Sequence, residues 1–152
     1  MNPKKIKIGC ASAFWGDTSS AARQLVEKGD IDYLVSDFLA EMTMSILAGS
    51  KKNNPKMGYA TDFIDQLSPL LETIKSKKIK VISNAGGVNL NSCKEALEKI
   101  AHTLGLALNI ATIAGDDLMS KKNELMGLNI KEMETDEELP DNLLSANAYL
   151  GA

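Results

Sequence analysis

The sequence predicts an α/β fold: a parallel sheet with alternating helices, arranged in three layers or as part of a larger α/β unit. Two observations lead there. Short, near-continuous apolar runs ("KIKIGCAS", "IDYLVSDF", "IKVISNAG", "LNIATIAG") recur with amphipathic stretches between them, the pattern of buried parallel strands joined by crossover helices. The polar residues also gather after the apolar runs and not before them. That asymmetry is expected where all strands point one way and the ligand-binding loops emerge at a single edge.

Taken in order, Lys5 to Ser12 reads as a strand, and "SAARQLVEKG" as a helix begun by Asp17, Thr18 or Ser19 and stopped by Gly29. "IDYLVSDF" is the second strand. Leu39, Met42, Ile46 and Leu47 then fall at helical spacing until "SKKNNPKMG" breaks the pattern. From Tyr59 to Lys78 the apolar set Phe63, Ile64, Leu67, Leu70, Leu71 and Ile74 is the stripe of a helix packed on a sheet. Pro69 interrupts it, so either Ser68 caps a second helix or one helix runs through with a kink. "IKVISNAG" is the third strand, and "NSCKEALEKIAHTLG" a helix with Cys93, Leu97, Ile100, Ala101 and Leu104 on one face. "LNIATIAG" reads as a fourth strand, "DDLMSKKNELMG" as a short helix, and "NLLSANAYLGA" as the start of a fifth strand.

The 152 residues, 44 % of them hydrophobic, suffice for one core, so 1–152 is expected to be a single α/β domain. Residues 131–141, within "KEMETDEELPD", read as an acidic, solvated linker before the last strand. A formal charge of -3 leaves no cation surplus for a phosphate backbone, so no nucleic-acid partner is expected. No apolar run approaches the ~20 residues of a membrane span, and none makes a signal-peptide core. Cys10 and Cys93, without CxxC spacing, read as buried reduced thiols of a cytoplasmic protein.

The loops expected after the strands are "SAFWGDTS", "SDFLAE", "SNAGGVN", "AGDDL" and "SANAYLGA". In Asn84-Ala85-Gly86-Gly87, glycines permit positive φ and close approach, and the following helix offers unpaired N–H groups to an anion. The plainer alternative is a tight turn in which Asn84 caps its own backbone. Asp37 and Glu41 stand four apart where a strand enters a helix, so both carboxylates are expected on one face of its first turn. Asp116 and Asp117 are adjacent after another strand. Such acids can hold a divalent metal such as magnesium, exchange protons with a substrate, or cap helices. For any single acid capping is the simpler account; for the set, a site is. Trp15 either floors a pocket beside Gly16 and Asp17 or covers the sheet edge. His102 lies on the polar side of its helix, which argues against a Ser-His or Cys-His pair. The seven methionines read as core filler.

The blocks "GCASAFWGDTSSAARQLVEKGDIDYLVSDFLAEMTMSILA", "VISNAGGVNLNSC", "AGDDL" and "LLSANAYLGA" resemble, in order and spacing from Ile8 to Ala152, the acyclic terpene utilisation protein AtuA family. The resemblance implies a cytoplasmic protein of acyclic isoprenoid or branched acyl-CoA catabolism. It marks Asp17, Asp37, Glu41, Asn84, Gly86, Gly87, Asp116, Asp117 and Asn147 as motif positions, with no individual role attached. Family members run beyond the last block, so the chain is expected to be an N-terminal fragment or half of a split protein. On that expectation it forms a homo-oligomer or meets a partner chain that supplies the rest. The resulting expectation is part of a site for an anionic metabolite or acyl-CoA. Trp15, Gly16, Asp17, Asn84, Gly86, Gly87 and Asn147 would bind, and Asp37, Glu41, Asp116 and Asp117 would serve a metal or proton transfer. The alternatives are a non-catalytic assembly subunit, suggested by the apolar "NLLSANAYLGA", and a truncated fragment without activity of its own.

Overall fold

The computed structural model describes residues 5–148, and the chain divides into two compact units, residues 1–112 and residues 113–152. The first holds β1 (Ile8–Ser12), α1 (Ala21–Lys28), β2 (Tyr33–Ser36), α2 (Glu41–Asn53), α3 (Thr61–Leu67), α4 (Leu71–Ser76), β3 (Lys80–Ser83) and α5 (Leu90–Thr103). Its three strands form one parallel sheet in the order β1-β2-β3, so the α/β class read from the sequence is the observed one. Each crossover moves one strand onward in the same direction, and right-handed crossovers therefore set the connecting helices on a single face.

Burial follows that geometry. Gly9, Leu34 and Val81 share a register row on the helix-covered face, where Leu34 is fully buried. An added Cβ on Gly9 would stand 3.0 Å from Leu25 Cδ2 of α1, so glycine there lets the helix lie close on the strand. Val26 and Ala22, one turn apart on α1, are buried with Leu34 and Phe38 in one cluster. The Phe38 and Phe63 rings meet edge to face at 5.8 Å. Each fully buried side chain of this kind contributes about 1.5–3 kcal/mol. On the opposite face the rows are Ile8, Tyr33, Lys80 and Cys10, Val35, Ile82. That face is open, with Ile8 66 % and Ile82 55 % exposed. This unit thus has two layers, helices and sheet, where three layers were one option from the sequence.

Pro69 acts through the N–H it lacks. A three-residue 3-10 turn, Ser68–Leu70, joins α3 to α4, and Ser68 Oγ donates back to Ile64 O at 2.5 Å. Neither a capped second helix nor a simple kink is formed. α1 ends at Gly29, whose N–H reaches Leu25 O at 3.0 Å; a Cβ there would lie 2.4 Å from that carbonyl. Lys77, just after α4, donates its ammonium to Val26 O at 2.6 Å and Glu27 O at 2.9 Å. A cation at the negative end of the α1 dipole satisfies carbonyls the helix itself leaves open.

Two expected strands are not formed. Residues 108–115 contain none. Leu106, Leu108 and Ile110 are half-buried against the core, so the alternating apolar pattern registers burial on one side without a paired neighbour. Of 142–152, the described part makes only an isolated antiparallel bridge, Asn147 with Asp117, and 149–152 lie outside the described residues. The second unit also contains a 3-10 turn (Met119–Lys121) and α6 (Lys122–Gly127). None of its described residues is buried. The acidic stretch from 131 folds back on itself through a Lys131–Glu138 bridge. The Glu132 carboxylate accepts from the backbone N–H groups of Glu134 and Thr135. Those bonds favour the charged form and lower the Glu132 pKa.

Replacing Lys77 with Met should destabilise the first unit by about 1–2 kcal/mol, the scale of a charged hydrogen bond at a helix end, read from urea unfolding. The two thiols should also separate. Burial pushes Cys93 up to about 11, whereas Cys10 is exposed, so a thiol reagent near neutral pH should modify Cys10 and spare Cys93 in the folded chain. Because Cys93 holds its proton more tightly folded than unfolded, stability should fall as pH rises from 9 toward about 11.

Candidate functional site

Every strand of the sheet ends on a serine, and Ser12, Ser36 and Ser83 lie in one register row. A bulge in β1 between Cys10 and Ser12 brings Ser12 into that row. From here the chain leaves the sheet three times at the same edge, and a small set of hydrogen bonds ties the exits together. Ser12 Oγ donates to Asp37 O at 3.1 Å, and Asp37 N donates to Ser12 O at 3.1 Å. Asn84 Oδ1 accepts from Phe38 N at 2.8 Å, while Asn84 Nδ2 donates to Asp37 Oδ1 at 2.7 Å. Ala85 N closes on Ser83 Oγ at 3.1 Å. The serine row was present in the sequence as an S after each of three apolar runs, but it carries meaning only once the register is known.

Asp37 and Asn84, two of the expected site residues, are therefore in direct contact. Asp37 is exposed. Among the described residues both hydrogen bonds to its carboxylate fall on Oδ1, from Asn84 Nδ2 and from Leu39 N at 3.3 Å, and none falls on Oδ2. Glu41 starts α2 and is exposed. Residues 37–40 are not helical, so the expected first-turn pairing of Asp37 with Glu41 does not form: the Asx-type contact to Leu39 N holds the chain out of the helix for one more turn.

In the loop after β1, Asp17 Oδ2 accepts from Ala13 N at 3.0 Å, and Gly16 turns with φ +87 in open space. Trp15 packs half-buried against the core. The glycines after β3 serve packing first. A Cβ on Gly87, whose φ is +53, would meet Leu47 Cδ1 at 2.5 Å and Gly58 O at 2.7 Å. A Cβ on Gly86 would meet Leu90 Cδ2 at 2.5 Å. The N–H groups of Ala85, Gly87, Val88 and Asn89 are bonded within the protein. Lys51 Nζ holds Val88 O at 2.5 Å. Asn89 caps α5 through Ser92 N and fastens the segment before α3 through Pro55 O and Met57 O.

In the second unit Asp116, Asp117 and Asn147 form a cluster of their own. Asn147 Nδ2 donates to Asp116 Oδ2 at 2.9 Å, Ala148 N to Asp116 O at 2.8 Å, and Met119 N to Asp117 Oδ1 at 2.9 Å. Asp117 thereby acts at the start of the 3-10 turn. Among the described residues no three acidic, histidine or cysteine side chains gather to hold a metal ion. The acids sit in separate contacts with amides, a poor donor set for a divalent cation that needs several oxygens at once. His102 is exposed, as its helix face implied, and no helix among the described residues is long and apolar enough to cross a membrane.

Replacing Asn84 with Ala should strand the N–H of buried Phe38 and cost about 1–3 kcal/mol, measured by urea unfolding. Asn84→Asp should cost more at neutral pH, since two carboxylates would then meet, and the loss should shrink as pH falls through the carboxylate range. Gly87→Ala, strained in both φ and space, should destabilise by about 2 kcal/mol.

A family model described as "Acyclic terpene utilisation family protein AtuA" matches residues 6–152. Neither curated proteins nor solved structures gave a match. With nearly its whole length matched, the chain belongs to the acyclic terpene utilisation protein AtuA family.

Proposed function

We propose that the chain acts in the breakdown of acyclic terpenes in the cytoplasm by contributing the strand-end edge of a binding site for an acyl-CoA or a related anionic isoprenoid metabolite. The observation that carries this reading is the Asn84 side-chain amide, which links the exits of β2 and β3 and holds one oxygen of exposed Asp37, whose other oxygen takes no hydrogen bond among the described residues. A carboxylate fixed through one oxygen and open at the other is suited to accept a hydroxyl or an acidic C–H proton from a ligand lying across the strand ends. The anionic end of that ligand is assigned to the first turn of α5, where the helix dipole favours negative charge. Asp17 and Glu41 belong to the same group of strand-end loops. The cytoplasmic assignment is supported by two free cysteines.

Titration calorimetry with geranyl-CoA and citronellyl-CoA, each with and without magnesium, tests the reading. Binding should be measurable, and Asp37→Asn, which keeps the contact to Asn84, should weaken it about tenfold. No heat in any combination, or equal affinity in the variant, would overturn it.

A second reading, a non-catalytic assembly subunit, is favoured by the open sheet face with Ile8, Cys10, Val35 and Ile82, because parallel sheets are ordinarily covered on both sides. Its mark would be silence in the titration together with loss of association when Ile82 is replaced by Glu.

A further inference from the structure

We propose that α2 is a self-association helix, through which two copies of the chain pair antiparallel about a twofold axis. The helix presents two unlike faces. Leu47 and Ala48 point inward and are buried. On the opposite side Met42 is 77 % and Ile46 56 % exposed, and Gly49 continues their line one turn further.

Gly49 is the informative residue. A glycine inside a helix weakens it, and such a residue usually answers to a positive φ or a close neighbour. Gly49 has neither: its φ is not positive, and a Cβ built on it would touch nothing within 4 Å. Nothing within the described residues requires a glycine there. A close approach by a second copy would give it a use.

Charge selects the partner and its direction. α2 opens on Glu41 and closes on Lys51 and Lys52. Glu41 and Lys52 are exposed, and neither belongs to an ion pair among the described residues. The two lie about 16 Å apart along the helix at its usual rise. An antiparallel copy sets Glu41 of each chain beside Lys52 of the other, twice over, whereas a parallel copy would bring like charges together. That register sets Ile46 of one copy about 3 Å from level with Gly49 of the other, and the tilt of helical side chains toward their own N-terminus carries the apolar knob toward that open space. The contact is isologous and closes at two chains. One helix pair buries less than the roughly 800 Å² per partner of a standard interface, so the dimer is a weak one.

Sedimentation velocity of the full chain over a concentration series tests the proposal. The wild type should pass from monomer to dimer as concentration rises. Ile46→Glu should remain monomeric throughout with an unchanged circular dichroism spectrum, since Ile46 faces solvent in the single chain. If that variant fails to fold, Gly49→Gln serves in its place and should abolish pairing while preserving or raising the Tm. Lys52→Glu should weaken the dimer about tenfold, and adding Glu41→Lys should restore it. A wild type that stays monomeric at every concentration overturns the proposal and leaves the stripe to a different protein. So does a dimer indifferent to Ile46→Glu or Gly49→Gln, or a double charge reversal that restores nothing.

Discussion

The side-chain amide of Asn84 is the constraint on which the edge of the sheet depends. It gives its oxygen to the N–H of Phe38 and its nitrogen to Asp37, and so joins two strand exits 46 and 47 residues apart in sequence. Phe38 is 1 % exposed, and a buried N–H without a partner costs more than the bond is worth in water. The tie therefore links the hydrophobic core to the polar edge: Phe38 is held in the core, and Asp37, its neighbour, is held at the surface. Ser12 adds the third strand through paired contacts with Asp37.

This arrangement follows from strand direction. Parallel strands in consecutive order put all their exits at one end, and right-handed crossovers put the helices on one face. The loops at that end are then free to carry polar residues while the helices fill the core. What lies beneath is made rigid by other means: Lys51 on Val88 O, Asn89 across to Pro55 and Met57, and Gly87 pressed against Leu47 and Gly58. The "NAGGVN" turn spends most of its N–H groups on that packing. Its glycines are thus explained by closeness of neighbours before any ligand is invoked.

The order of strands and helices through residue 105 was legible because apolar periodicity reports burial directly. So was the convergence of Asp37 and Asn84, since common strand direction suffices to bring them together. Residues 108–115 show the limit. Their alternation foretells which side chains turn inward, and Leu108 and Ile110 do, but pairing needs a neighbouring strand that no local pattern encodes. The helical pairing of Asp37 with Glu41 failed for a local reason, because Asp37 bonds to Leu39 N and delays the helix to Glu41. The serine row was hidden because three separate serines become one feature only through register and the bulge in β1.

The most direct test of this account is a double-mutant cycle on Asp37 and Asn84, with each replaced by Ala singly and together and stability taken from urea unfolding. If the amide bridge joins the strand exits, the two substitutions should couple by about 0.5–3 kcal/mol, as contacting residues do. Strictly additive losses would contradict it, for then the exits of β2 and β3 would be held independently and the edge would not be one structure.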